Sequence, residues 1–409
     1  MVDLYGHTVS RRRFLAGVTA ATTLVATCRA VAVAAEPPLK IGVLADMSGP
    51  MMDFSGPGTV SSIQMAIEDF GGKVNGRSIE LRTADNLNKP DVGLAISRKW
   101  YDEGVEAVFD VGMTSLALAV QTLTKERNKT VIFLSASSAD LTRKNCSPNG
   151  IHWSHDNYSQ AVGAIKDLQK QGGKSWYFIT IDYAFGVNSE RDATQIIKAG
   201  GGRVIGSSRH PWDAADFASQ LLQAQGSGAD VIALATTTGH AGAIIKQARE
   251  FGITETQILA PLSWSFPDVK ALGLRSAQGI ITGAPFYWDG DDASRAFAKR
   301  YHQRFGRMPN EVQASAYGAM IHYLKAASVV NSDDGAAVIA QMKKMAINDF
   351  MTKDGHIRPD GRVMRDILIL QVKKPADSKS EWDIFKVVGR VPADEAFALP
   401  DPAACPLVK

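Results

Sequence analysis

The chain has 409 residues, of which 45% are hydrophobic and 21% charged, a composition typical of a globular protein large enough for two lobes with separate cores. No apolar run in its interior reaches the ~20 residues that cross a bilayer, which argues against an integral membrane protein. The formal net charge is only +3, and the excess of positive charge lies mostly at the N-terminal end.

The first 35 residues have the parts of an export signal. Arginines at 11–13 precede a mildly apolar stretch, and small residues follow at 30–35. Paired arginines before Phe14 are typical of a twin-arginine signal, so we predict export to the periplasm and cleavage near Ala34 or Ala35. The alternative is that this segment is a disordered tail. The residues on either side of Cys28 fit a lipid-attachment signal poorly.

This leader carries four arginines and one aspartate, so its net charge of +3 equals that of the whole chain. The remainder is therefore close to neutral. A neutral protein has no general attraction to nucleic acid or to an anionic membrane, and we expect neither as a partner.

Two cysteines remain after the leader, Cys146 and Cys405. In an oxidising compartment they could form one disulfide that ties the tail to a mid-chain loop. Two unpaired thiols are the alternative, because the sequence does not show whether the two come within bonding reach.

In chain order, strand-like and helical segments alternate, which predicts a parallel α/β sheet with helices on both faces. In the first part, strand-like runs at 39–45, 78–85, 107–111 and 131–134 alternate with helical stretches at 58–72, 90–104 and 115–127.

The same alternation then restarts and predicts a second α/β lobe. Its strand-like runs lie at 175–181, 203–210, 230–236, 257–262 and 279–286, with helical stretches between the first four of them. Residues 291–345 are predicted to be helical. Residues 359–361 form a turn between two strand-like arms, and we interpret the rest as a polar tail.

Parallel sheets bind ligands at the carboxyl ends of their strands, so the candidate site residues come from the loops there. The first lobe offers hydroxyls and backbone N–H groups suited to a carboxylate, at Thr114, Ser115, Ser135, Ala136, Ser137 and Ser138. Apolar, aromatic and further small residues follow other strands: Met51, Phe54, Tyr183, Phe185, Thr237, Thr238, Gly239 and Trp264. Ordinary turn chemistry for the serines and core packing for the aromatic residues are the alternatives.

Catalytic signatures are not found. The sequence has no G-x-S-x-G elbow, P-loop or G-x-G-x-x-G motif. His152 and His155 lack further ligands nearby for a metal, and His240 has no nucleophile beside it, which leaves it a ligand or surface role. We therefore predict a binding protein without cofactor or metal, and not an enzyme.

Several segments carry a family resemblance: "KIGVLADMSGPMMDFSGPG" at 40–58, "QMAIEDFGGKVNGRSIEL" at 64–81, "DYAFG" at 182–186, "DFASQLLQAQ" at 216–225 and "IKQAREFG" at 245–252. In combination the chain resembles the solute-binding proteins of ABC importers, in the branched-chain amino acid or type I periplasmic binding protein group. The resemblance implies two Rossmann-like lobes with parallel sheets, a three-crossing hinge, a small ligand buried as the lobes close, and delivery to a permease in the inner membrane by a monomer.

The resemblance also implies the domain boundaries. They are 1–35 for the export signal, 36–154 for the first lobe, 155–283 for the second lobe, 284–364 for the return to the first lobe, and 365–409 for the final strand and tail of the second. The crossings are expected near residues 153–158, 282–287 and 364–369.

The same resemblance assigns roles to several of these residues. The positions that hold a ligand carboxylate in the family match Thr114, Ser115 and the serine run at 135–138. In the second lobe, the aromatic residue after the first strand matches Tyr183, and the loop after the third strand matches residues 237–239. Relatives that bind α-amino acids place an acid after the fourth strand of that lobe to meet the ammonium group. Here Trp264 stands in that place, with Asp268 the nearest acid. An unpaired buried ammonium is costly, so the sequence favours an aromatic or apolar organic acid. An amino acid ligand, or a sensor role for the same fold, is the alternative.

Overall fold

The computed structural model describes residues 36–408, so the predicted export signal lies outside the described residues. Within that range no helix combines the length and apolar character needed to span a membrane.

The first part of the described chain contains the four predicted strands and three predicted helices, together with two short strands, at 73–74 and 150–152, that were not predicted. Its elements are β1 (Leu39–Ala45), α1 (Gly56–Asp69), β2 (Lys73–Val74), β3 (Arg77–Asp85), α2 (Pro90–Asp102), β4 (Val105–Asp110), α3 (Thr114–Glu126), β5 (Thr130–Phe133) and β6 (Gly150–His152). The six strands form one sheet, the first sheet, in the order β2-β3-β1-β4-β5-β6. All neighbours are parallel except the short β2–β3 pair.

Alternation along the strands gives the first sheet two apolar faces. Ile41 and Val43 of β1 belong to the core that contains residues of α1, while Leu44 belongs to the core on the α2 and α3 side. Helices therefore cover both faces, as predicted. Pairing of Leu44 and Phe133 with Asp110 brings the carboxyl ends of β1, β4 and β5 to one edge of the sheet.

A second run of alternating elements follows, again close to the predicted segments. It comprises α4 (Asn157–Lys170), β7 (Ser175–Ile181), α5 (Ala184–Ala199), β8 (Arg203–His210), α6 (Ala218–Gly226), β9 (Val231–Ala235), α7 (Thr238–Glu250), β10 (Ile258–Pro261), α8 (Phe266–Leu272), α9 (Leu274–Ala277) and β11 (Ile281–Ala284). Strands β10-β9-β7-β8 form an all-parallel second sheet. The fold is thus α/β with parallel sheets, as the sequence predicts.

The last part contains the predicted helices and one strand that the sequence interpretation missed. Its elements are α10 (Asp292–Phe305), α11 (Glu311–Val330), α12 (Gly335–Lys344), β12 (His356–Ile357), β13 (Val363–Met364), β14 (Ile367–Val372), β15 (Phe385–Val391) and α13 (Ala393–Ala396). Helix α11 packs on α1, next to the first sheet. Strands β12 and β13 form the predicted hairpin around residues 359–361.

The third sheet departs from two expectations. Strands β11, β14 and β15 pair antiparallel, whereas a parallel arrangement was predicted throughout. The supposed polar tail supplies β15, which was overlooked because only its end residues Phe385 and Val391 are buried. An edge strand with exposed middle residues shows no apolar run in the sequence.

Cys146 and Cys405 are joined by a disulfide, with 5.8 Å between their Cα atoms. The bond attaches the C-terminal segment to the loop before β6, and the Cys405 side is fully buried.

Candidate functional site

The carboxyl ends of strands in the first and second sheets surround one cavity. Its lining residues are Asp46, Met51, Phe54, Ser55, Asn86, Asn88, Gly112, Met113, Thr114, Ser135, Ser137, Tyr183, Phe185, Trp212, Thr237, Ser263 and Ser265. The cavity volume is about 100 Å³, several times the space that one water molecule requires. This space is suited to a small molecule held between the two sheets.

The serine run after β5 contributes to the cavity through alternate residues. Ser135 and Ser137 line it, whereas Ala136 and Ser138 are buried behind it. Alternation is expected because successive side chains of an extended segment point to opposite sides. Ser138 instead accepts hydrogen bonds from the Asp140 N–H (3.3 Å) and the Asn188 side chain (3.0 Å).

The loop after β10 shows the same alternation. Ser263 and Ser265 line the cavity, and Trp264 between them belongs to the apolar core of the second sheet. Asp268 accepts hydrogen bonds from the N–H (2.7 Å) and the hydroxyl (2.8 Å) of Ser265, as part of the cap of α8. Trp264, which was predicted to contact the ligand, therefore does not line this cavity.

Three long helices begin at the cavity. Helix α3 starts at Thr114, α5 follows Tyr183, and α7 follows Thr237; each of these three residues lines the space. In the described part of the chain, none of the three N-cap residues caps its helix with its own side chain. The N–H groups of these first turns and the positive ends of the helix dipoles favour a negatively charged group.

Part of the cavity wall is apolar and aromatic. It is formed by Met51, Phe54, Met113, Phe185 and Trp212. The Trp212 ring meets the Tyr183 ring edge-on, with 5.5 Å between centroids. A flat apolar body is well matched to such a wall.

The Tyr183 hydroxyl connects the second sheet to the first across the cavity through two hydrogen bonds with Ser115. The Tyr183 hydroxyl lies 3.1 Å from the Ser115 Oγ and 3.4 Å from its backbone nitrogen, which donates to it. Ser115 is not a lining residue, but it contacts the side chain of Tyr183, which lines the cavity. This contact holds the α3 and α5 starts together.

Among the lining residues, which all belong to the part of the chain that the structure describes, Asp46 is the single charged one. Its carboxylate accepts hydrogen bonds from the backbone N–H groups of Gly49 (2.7 Å) and Met51 (2.8 Å), and from the Asn88 side chain. Asp46 therefore shapes the loop that carries Met51. No lysine or arginine lines the cavity among residues 36–408, so a bound anion there would rely on dipoles and hydroxyls.

Two more predicted residues follow Thr237 in the chain. Thr238 is the first residue of α7. Gly239 is exposed and, with His240, lines a wider groove that continues outward from Trp212 and Thr237. His240 Nδ1 lies 2.8 Å from the Thr237 Oγ1.

Residues 38–379 match the model of a family described as periplasmic binding proteins. The chain belongs to the periplasmic binding protein family. This family membership makes it a ligand-binding protein and not an enzyme, and it implies a periplasmic location, a small ligand and permease partners.

Solved structures agree with this assignment. A periplasmic binding protein from Burkholderia mallei is 42% identical, with a TM-score of 0.87 over 91% of this chain and 99% of that one. A branched chain amino acid ABC transporter periplasmic ligand-binding protein from Burkholderia xenovorans LB400 is 38% identical, with a TM-score of 0.81 over 88% and 97%. An ABC transporter solute binding protein from R. palustris, solved with 4-hydroxybenzoate, is 21% identical, with a TM-score of 0.79 over 87% and 97%, and shares the fold.

The two histidines beside the serine run are buried in this periplasmic binding protein. His155 Nε2 lies 3.2 Å from the Ser137 Oγ, and His152 Nε2 lies 2.7 Å from the Ala136 carbonyl oxygen. Burial, followed by the nearby charge of Arg362, lowers the pKa of His155 to about 3, and the same two causes lower the pKa of His152. Both rings are therefore neutral near pH 7, and no metal-ligating cluster is found among the described residues.

The sequence interpretation missed several lining residues. Trp212 follows β8, and Asn86 and Asn88 follow β3. All three could have been found by taking every strand end. The serines at 263 and 265 could have been found because side chains alternate along an extended segment, which places both serines on the side opposite to Trp264.

Proposed function

We propose that this periplasmic binding protein captures a small organic acid with an aromatic or apolar body and delivers it to the permease of an ABC importer. The observation that carries the proposal is a cavity at which three long helices begin and whose lining also contains apolar and aromatic side chains. The helix starts and serine hydroxyls would hold the carboxylate, and Trp212 and Phe185 would contact the ring.

The proposed mechanism is closure of two lobes around the ligand. The lobes follow the boundaries at 36–154, 155–283, 284–364 and 365–409, with crossings near 153–158, 282–287 and 364–369. A ligand that touches both lobes favours the closed state over the open one by its differential affinity, and the closed state is the one recognised by the permease. The first 35 residues are proposed to direct export and to be removed near Ala34 or Ala35.

A thermal-shift panel tests the ligand class. We expect benzoate or a hydroxybenzoate to raise the melting temperature, because ligand that binds the folded state alone stabilises it by mass action. The matched neutral amide, benzamide, should give no shift. A shift by benzamide equal to that by benzoate would contradict the carboxylate assignment.

A pair of variants locates the carboxylate. Ser137→Ala removes a hydroxyl that lines the cavity, and we expect a loss of about 1.5–3 kcal/mol in binding, the range for a hydrogen bond to a charged group. Ser138→Ala makes the same change one residue later, where the side chain is buried behind the wall, and should leave affinity unchanged. Isothermal titration calorimetry measures both, and equal losses would exclude a direct role for Ser137.

An amino acid ligand is the second candidate, because Asp46 places a carboxylate in the cavity wall. That carboxylate already has three donors, which weakens it as a partner for an ammonium group. Leucine, isoleucine and valine in the same panel decide the matter. Tight binding of any of them would favour this candidate over the first.

A further inference from the structure

A buried carboxyl group lies directly behind the proposed anion site. Asp110 is the last residue of β4 and is fully buried. One of its oxygens, Oδ1, accepts a hydrogen bond from the hydroxyl of Ser135, which lines the cavity. The other, Oδ2, is also buried.

The backbone at this point is held in an uncommon conformation. Asp110 has φ of +80° and Val111 has φ of +57°. Positive φ is unfavourable for a β-branched residue, and such strain often marks ligand sites. The next residue, Gly112, lines the cavity, and a Cβ there would lie 3.2 Å from the Ser135 Oγ. The strained turn thus brings backbone, Ser135 and Asp110 close together.

No cation balances Asp110 within the described residues. Its strand neighbours are Leu44 on β1 and Phe133 on β5, and the side chains of Ser55 and Thr59 at the start of α1 face it. Asp46, the nearest acid, follows the adjoining strand, and its carboxylate accepts hydrogen bonds from backbone N–H groups of its own loop. The two histidines beyond the serine run are neutral near pH 7.

Burial accordingly raises the pKa of Asp110 to about 6, although the hydroxyls of Ser135, Ser55 and Thr59 oppose the rise. The group is therefore close to half protonated in mildly acidic solution and mostly ionised at pH 7 and above.

An ionised Asp110 opposes anion binding in two ways. Its charge repels a carboxylate that sits against Ser135, and this repulsion is strong where water is excluded. It also takes the Ser135 hydroxyl proton toward itself, so that Ser135 presents lone pairs to the cavity instead of a donor. Protonation of Asp110 removes the charge and allows Ser135 to turn its O–H toward the ligand.

We propose that Asp110 takes up a proton from solvent when a carboxylate ligand enters the cavity and releases it when the ligand leaves. Asp110 is then a positioning residue that acts through Ser135 and makes ligand binding proton-linked. This inference rests on the proposed function, since it requires an anionic ligand at Ser135.

Isothermal titration of benzoate between pH 5 and pH 8 tests the linkage. Affinity should be highest below pH 6 and should fall about tenfold per pH unit above it, because the bound state has the higher pKa. At pH 8 the Kd should be up to about 100-fold above its value at pH 5. Titrations in buffers of different ionisation enthalpy at pH 7.5 should show uptake of nearly one proton per ligand.

Asp110→Asn supplies the decisive variant. An amide cannot ionise but can donate to Ser135, and asparagine tolerates positive φ well, so the fold should be kept. Its Kd for benzoate should be nearly constant from pH 5 to pH 8, with no proton uptake. Glu311→Gln is the matched control: it removes another buried acid that does not line the cavity, and it should retain the wild-type pH profile.

The outcomes separate the inference from the proposed function. Benzoate binding with a flat pH profile and no proton uptake in the wild type would overturn the inference alone. An Asp110→Asn variant that keeps the wild-type slope would do the same. If no carboxylate in the panel binds at pH 5 or at pH 8, the proposed function fails and the inference falls with it. Should Asp110→Asn not fold, proton uptake by the wild type decides by itself.

Discussion

Replacing both Cys146 and Cys405 by serine is expected to lower the free energy of unfolding by about 2–5 kcal/mol, the range for loss of a native disulfide. The two cysteines are 259 residues apart in sequence, so the bond restricts an unusually long loop in the unfolded chain. The same bond fixes the segment that follows α13, where Arg358 donates to the Ala398 carbonyl (2.8 Å).

Urea unfolding of the wild type and the double serine variant, each with and without a thiol reductant, measures this effect. The reductant should destabilise the wild type alone. Because neither cysteine lines the cavity, ligand affinity should be unchanged below the unfolding transition. Equal stability of the oxidised wild type and the variant would contradict the expectation.

A second large effect is expected at Glu311, the first residue of α11. Glu311 is buried, and its Oε1 has no hydrogen-bond partner in the described chain. Burial, with a smaller contribution from the charge of Asp268, raises the pKa of Glu311 to about 8. A folded-state pKa above the unfolded one stabilises the protein at low pH, and that stabilisation disappears as the pH rises through the folded value.

Between pH 6.5 and pH 9 the wild type should therefore lose about 2 kcal/mol of stability through Glu311. Asp110 is mostly ionised at the start of this window and contributes little. Glu311→Gln, which keeps the size of the side chain without the charge, should show a correspondingly smaller loss over the same range. Urea unfolding at both pH values gives the difference, and parallel curves for the two proteins would show that Glu311 does not titrate there.

Much of the fold could be predicted from the sequence because its signals are local. Apolar runs such as 39–45 and 175–181 became strands β1 and β7 at the predicted positions, and Gly104 follows α2 as expected. Strand β15 could not be found in this way, since only its two end residues are buried and its pairing with β14 is not visible in a local sequence pattern.

The site was predictable at the level of loops and less so at the level of side chains. The sequence singled out the loop that contains Ser135 and Ser137, but which of its four neighbouring residues line the cavity depends on the backbone direction. Asp110 illustrates the limit most clearly. It ends an apolar strand and looks like a surface acid in the sequence, whereas parallel pairing on both sides buries it behind Ser135.

A crystal structure of the protein with the acid that gives the largest thermal shift tests the central claim most directly. We predict a carboxylate within hydrogen-bond distance of Ser135, Ser137 or the first N–H groups of α3, with the apolar body against Tyr183 and Trp212. A ligand outside this cavity, or one whose carboxylate contacts neither serine nor the first N–H groups of α3, would contradict the account.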